Sequence, residues 1–250
     1  MALRQPRLWS ALAVQDVKAR YRGSMLGPWW ITISMAALIS GMSVLYSELM
    51  NLTLAEYVPW MCCGIVLWGY LSATITEGCD SLVGAAMILR QTPIPTVVFM
   101  FRTVVRNLIV LAHNMIIVAV MVVIFDLWPH MRPLEFLAGT LAASFVLLCV
   151  VVIVSIISAR YRDIPQVVTA TLQVLLFLTP VFWRPDQLPR EAAFLLINPA
   201  FHLIEVMRAP LIGGATPTTS WLFIAVLSPL LAITAFLVYA AARRRIVHFL

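Results

Sequence analysis

Six long apolar stretches, residues 29–47, 58–76, 107–125, 136–158, 164–182 and 221–242, alternate with shorter segments that carry most of the charge. Each has close to the roughly 20 residues that an α-helix, rising about 1.5 Å per residue, needs to cross ~30 Å of hydrocarbon. The pattern predicts six membrane-crossing helices. Thirteen of the 17 basic residues crowd into every second gap: Arg4, Arg7, Lys18, Arg20 and Arg22, then Arg90, Arg102 and Arg106, then Arg160 and Arg162, then Arg243, Arg244 and Arg245. The other gaps hold Arg132, Arg184, Arg190 and Arg208, together with seven of the 11 acids. Basic residues collect on the cytosolic side of a membrane, so both termini are expected there.

The segments between the stretches have patterns of their own. Before the first, Trp9, Ala13, Val17 and Tyr21 recur at helical spacing, with Leu8 and Leu12 beside them and Lys18 and Arg22 on another face. That predicts an amphipathic helix lying in the cytosolic headgroup layer and ending at Gly23, with Pro28 opening the first crossing helix. Within the first span, Ala36 with Ser40 and Ala37 with Gly41 form small-residue pairs that let another helix approach closely. Contact within one subunit is the simpler reading, contact between subunits the other.

Residues 77–106 form the longest cytosolic connection. Its Leu89–Pro95 segment cannot run as a helix through Pro93 and Pro95, so a short helix with a rigid extended exit is expected, exposed to a cytosolic partner. Between the fifth and sixth stretches, residues 183–220 contain Pro185, Pro189, Pro199, Pro210 and Pro217, and the apolar pieces 192–197 and 200–212 are too short to cross. Re-entrant or interfacial helices fit there, one capped by Asn198 with Pro199 at its first position. Glu205 and Arg208, three apart on that helix, can pair, as a surface salt bridge or as part of a gate.

Composition narrows the class. With 62% hydrophobic and 11% charged residues and a mean hydropathy of +0.96, the chain lacks the polar surface of a soluble domain. The net charge of +6 sits beside the apolar stretches and forms no separate basic face, which points to anionic lipid and not to nucleic acid. Cys62, Cys63 and Cys149 lie within spans and Cys79 near a cytosolic end, so no disulfide framework is expected. His113, His130, His202 and His248 lack metal-ligand spacing, and residues 1–27 hold no apolar core of a cleavable signal.

Charge placement adds detail. Glu77 and Asp80 close the second span while Arg102 and Arg106 lead into the third, so opposite charges meet at one cytosolic level, where pairing across helices is expected. His113 and Asn114 lie deeper, as candidates for an interhelical hydrogen bond. Most aromatics fall at span ends and read as membrane-interface anchors, but Trp68 and Tyr70 lie mid-span. The only lysine, Lys18, follows Asp16-Val17 where a phosphate-cradling loop requires glycine, so the chain is not expected to bind ATP by that loop. No nucleophile and base, and no paired carboxylates, share a membrane depth; a membrane-embedded transferase stays open without positive support.

Three motifs carry a family resemblance. Residues 18–28, Lys-Ala-Arg-Tyr-Arg-Gly-Ser-Met-Leu-Gly-Pro, resemble the amino-terminal signature of ABC-2-type permeases that export polysaccharide. Residues 160–166, Arg-Tyr-Arg-Asp-Ile-Pro-Gln, look like that family's loop before the fifth span, and residues 177–183, Phe-Leu-Thr-Pro-Val-Phe-Trp, followed by Asn198-Pro199, look like its outer end. The resemblance runs in order over essentially the whole chain. It implies an all-α polytopic membrane protein of six transmembrane helices, with an interfacial helix in 1–28, spans 1–5 in 29–182, short re-entrant periplasmic gate helices in 183–220, and span 6 with a basic tail in 221–250.

It further implies a homodimer in the bacterial inner membrane, working with two copies of a cytosolic ATPase subunit and exporting a lipid-linked glycan. ATP and Mg would sit on that partner and no cofactor on this chain. Arg20, Tyr21, Arg22 and Gly23, with Arg90, Pro93 and Pro95, become the residues expected to couple to the ATPase. Arg160, Tyr161, Arg162 and Asp163 mark the cytosolic boundary, and the recurring Arg-Tyr-Arg suits phosphate and headgroup contact. Pro180, Phe182, Trp183, Asn198, Pro199, Glu205 and Arg208 would form the periplasmic gate, and Trp68 or Tyr70 would face the glycan path. Export of a small hydrophobic compound or drug by the same architecture is the alternative reading.

Overall fold

The computed structural model describes residues 6–20, 22, 29–50, 53–92, 94–187, 193–243 and 245–249, without the side chains of residues 6, 20, 50, 187, 193, 247 and 248. Among them every regular element is helical. In chain order these are α1 (Pro6–Arg20), α2 (Trp29–Met50), α3 (Leu54–Asp80), α4 (Ala86–Gln91), α5 (Val97–Ile124), α6 (Pro133–Arg160), α7 (Ile164–Leu178), α8 (Ala193–Leu196), α9 (Pro199–Arg208), α10 (Thr218–Ala242) and α11 (Ile246–Phe249).

Five helices, α2, α3, α5, α6 and α10, are long and apolar enough to cross a membrane. They have 22, 27, 28, 28 and 25 residues, hence lengths of about 33–42 Å. The fifth expected span departs from this. α7 has 15 residues and stops at Leu178, about 22 Å long where 164–182 predicted a full crossing. The apolar run continues past that point, but Pro180 lacks an amide hydrogen and forces Thr179 into an extended conformation (φ −96°, ψ 136°), so the helix ends and Thr179–Trp183 turns.

α3 is the centre of the bundle and contacts α2, α5, α6, α7 and α9. Tyr57, Met61, Cys63, Leu67 and Leu71 are buried along it, and all four cysteines are free and buried. α10 lies against α6 and α9, and turns Leu222, Val226, Leu230, Ile233 and Leu237 outward at spacings of three and four. An apolar stripe that long belongs against lipid or another subunit. On α2, Ala37, Ser40 and Gly41 are exposed, and a Cβ added at Gly41 would meet nothing within 4 Å. Ala36 is half-buried, and α2 meets α3 through Ile39, Ser43 and Ser47.

One close contact depends on glycine. A Cβ at Gly139 of α6 would lie 2.4 Å from the Val206 carbonyl oxygen of α9, so backbone meets backbone there. Gly139→Val is expected to push α9 away and destabilise the protein by about 1–3 kcal/mol, read as a lower unfolding midpoint in detergent. An unchanged midpoint would show that α9 is not held at this crossing.

Candidate functional site

Polar side chains gather at both ends of α3. At its carboxyl end, Glu77 takes hydrogen bonds from Arg106 Nη2 (2.6 Å), Arg106 Nε (3.1 Å) and Asn107 Nδ2 (2.7 Å). Arg106 Nη1 also reaches Asp16 Oδ2 of α1 at 3.2 Å, and Arg102 grips the same carboxylate with Nε (2.5 Å) and Nη2. These side chains are only 18–23% exposed, so their attraction is screened far less than that of a surface pair. Trp9 stacks on Phe101 at 5.7 Å and Ala13 is fully buried, so Trp9, Ala13 and Asp16 form the face by which α1 docks on α5.

Pairing of Arg106 with Glu77 agrees with the charge pattern. Asp16 was not foreseen as a partner, although it is the only acid before Glu48 and lies three residues beyond Ala13 on the buried stripe. Those two signals would have found it.

At the amino end of α3 the problem is different. The turn after α7 breaks the helix where the chain is otherwise apolar, and its carbonyls need partners. The Thr179 carbonyl takes the Val181 amide (2.7 Å), and side chains answer the rest of the turn. Asn198 Nδ2 donates to Thr179 Oγ1 (3.0 Å), Arg208 Nη1 to the Pro180 carbonyl (2.7 Å), Tyr57 Oη to that of Phe182 (2.5 Å) and Trp60 Nε1 to that of Trp183 (3.0 Å). Asn198 also caps α9 as expected, its Oδ1 accepting from the amides of Ala200 (3.0 Å) and Phe201 (3.3 Å). Gly64 makes room for the turn: a Cβ there would lie 3.1 Å from the Val181 carbonyl oxygen.

Arg208 is fully buried, which rules out the surface reading of its pair with Glu205 (2.5 Å). Its guanidinium carbon lies 3.3 Å from the centroid of the Trp60 ring, and Arg184 approaches the same ring at 5.6 Å. A buried cation is tolerated only when paired, bonded and stacked, and Arg208 meets all three conditions. Beside it His202 bridges α9 to α10. Burial pushes its pKa below the ordinary imidazole value, against the Leu196 carbonyl and Glu205, which pull it up. The neutral ring therefore donates from Nε2 to the Leu196 carbonyl (3.0 Å) and accepts from Ser220 at Nδ1 (2.9 Å).

The remaining expected residues are distributed as follows. Tyr21, Gly23 and Pro93 lie outside the described residues, as does the Arg20 side chain, while Arg22 and Arg90 are exposed and Pro95 leads into α5. Arg160 sits over the Tyr161 (5.2 Å) and Phe249 (5.7 Å) rings, and Arg162 and Asp163 are exposed before α7, where Pro165 occupies the first turn. Trp68 and Tyr70 are enclosed by the bundle, with Tyr70 Oη 2.8 Å from Ser144 Oγ of α6. Asn114 accepts from Thr32 of α2 at 3.4 Å, the interhelical bond expected of it, and His113 meets the Trp29 ring edge at 5.2 Å.

The fold is that of a multi-pass helical membrane protein with polar clusters at both ends of one central helix. Residues 7–212 match the ABC-2 type transporter family, and the chain belongs to it. It is 24% identical over 202 residues to the O-antigen export system permease protein RfbA of Myxococcus xanthus, a match covering 80% of this chain and 78% of that protein. A second relative, the protein of the same name from Klebsiella pneumoniae, is 22% identical over 205 residues with the same coverage. The chain is thus a transporter permease, in a family that implies a separate ATPase subunit as partner.

Proposed function

We propose that this permease carries a lipid-linked polysaccharide of the O-antigen kind from the cytosolic to the outer side of a bacterial inner membrane, driven by ATP hydrolysis on its partner. Likeness to O-antigen export permeases over four-fifths of the chain carries this reading. Two copies of the chain pair, each with one ATPase subunit that holds ATP and Mg, and both termini face the cytosol. The unfilled small-residue face of α2 and the apolar stripe of α10 supply surfaces for such pairing and for lipid.

The mechanism follows from α3. About 20 residues separate Glu77 from Tyr57 and Trp60, so one rigid helix of roughly 30 Å links the charge cluster to the turn after α7. The ATPase presses on α1, through Arg20–Gly23, and on α4 with Arg90, Pro93 and Pro95. Asp16 passes that displacement to Arg102 and Arg106, and Glu77 passes it to α3. At the far end Tyr57 and Trp60 draw on the Phe182 and Trp183 carbonyls, and the gate built from Pro180, Phe182, Trp183, Asn198, Pro199, Glu205 and Arg208 shifts. Trp68 and Tyr70 lie along the lever itself.

Depleting the permease in cells is expected to strand glycan on the cytosolic leaflet, and the purified chain alone is expected to hydrolyse no ATP. Normal surface glycan after deletion, with altered drug sensitivity, would transfer the assignment to a small hydrophobic compound. A double Arg20→Glu, Arg22→Glu variant should insert stably yet lose export by at least tenfold, equivalent to about 1.4 kcal/mol of coupling. Full export by that variant would remove these residues from the coupling surface.

A further inference from the structure

A cavity of about 440 Å³ opens where α3 and α6 end and α7 begins, lined by Asp80, Val83, Ser158, Ala159, Arg162, Pro165 and Phe249. None of its polar groups belongs to the two clusters described above. Asp80 and Arg162 are exposed on its rim and supply one charge of each sign. Ser158 is only 2% exposed, and among the described residues its hydroxyl makes no hydrogen bond of good geometry, the Cys79 thiol lying beside it. A buried hydroxyl so weakly answered is open to a ligand oxygen. The rest of the lining is apolar.

The surroundings select the ligand. Arg160, beside the Phe249 ring at 5.7 Å, adds positive charge next to Arg162, against Asp80 on the rim. An anion is therefore favoured there, but one that also carries a cation for Asp80. The ends of two crossing helices, α3 and α6, fix the depth at the headgroup layer, where phosphate meets hydrocarbon. We propose that the cavity binds the headgroup of an aminophospholipid, phosphatidylethanolamine. Its phosphate lies on Arg162 and receives the Ser158 hydroxyl, its primary ammonium reaches Asp80, and its first acyl carbons cover Val83, Pro165 and Phe249. The volume suits a phosphoethanolamine group with its glycerol. The site depends only on the membrane location of the chain and not on what the permease exports, so its test is independent of transport.

The full chain, purified in detergent with equimolar phosphatidylethanolamine, phosphatidylcholine and phosphatidylglycerol, would be read by native mass spectrometry for retained lipid. Phosphatidylethanolamine is expected to exceed the other two about fivefold, the ratio of one half-exposed ion pair. Phosphatidylcholine has the phosphate but no N–H to donate, and phosphatidylglycerol has no cation. Asp80→Asn should bring phosphatidylethanolamine down to the phosphatidylcholine level and leave the latter unchanged, and Arg162→Gln should lower all three. Arg162→Lys should retain binding, which separates a lost contact from a lost fold. Equal retention of the three lipids by the unaltered chain would overturn the proposal, as would an unchanged preference in Asp80→Asn. Displacement of the lipid by inorganic phosphate at constant ionic strength would also overturn it, and would assign the cavity to a soluble phosphate.

Discussion

Arg208→Met will destabilise this permease more than any other single exchange around the turn after α7, by about 3–5 kcal/mol, the cost of breaking a buried ion pair by removing one partner. Methionine fills the same channel through the core, so loss of volume contributes little. What is lost is the bond to the Pro180 carbonyl, the contact with the Trp60 face and the pairing with Glu205. The Pro180 carbonyl then has no donor at apolar depth. A falling unfolding midpoint, together with faster thiol labelling of a cysteine placed at Thr179, measures the effect. Adding Glu205→Gln should recover part of the loss, because two neutral groups replace an unpaired carboxylate. An Arg208→Met protein as stable as the parent would mean that the turn after α7 is held by Tyr57, Trp60 and Asn198 alone.

Asp16→Asn should separate ATP hydrolysis from export. An amide cannot hold two guanidiniums, so α1 retains only the Trp9–Phe101 stack and the burial of Ala13, and Arg102 is left half-buried without its counter-charge. The expected cost is about 1–3 kcal/mol, concentrated in the docking of α1. In the complex with its ATPase, hydrolysis should continue while export drops by tenfold or more. Faster hydrogen exchange of the α1 amides reports whether α1 has lifted. Asp16→Glu, which keeps the charge, should retain both the protection of α1 and export. Normal export by Asp16→Asn would show that the stroke reaches α3 by another route.

The residues whose behaviour is set by neighbours in the chain were legible from the sequence. Hydropathy located the five long helices, the i, i+4 spacing of Trp9, Ala13 and Val17 gave α1, and Asn198-Pro199 gave the start of α9. Opposite charge at one level gave Arg106 with Glu77. One departure came from reading hydropathy alone. The apolar run to Phe182 hid a helix end that Thr179-Pro180 had already signalled, because hydropathy registers solvent preference and not the missing amide hydrogen. Spacing left Glu205 and Arg208 open between a surface pair and a gate, since it says nothing about Trp60 above or the Pro180 carbonyl 28 residues back. The small-residue pairs of α2 stayed open as well, since a flat helix face does not state which partner it awaits.

The brevity of α7 has an effect on the solvent around it. Its outward residues Val167, Val174, Phe177 and Leu178 offer a wall about 22 Å tall to acyl chains that elsewhere span ~30 Å. Chains beside such a wall shorten, and the two leaflets dip toward each other.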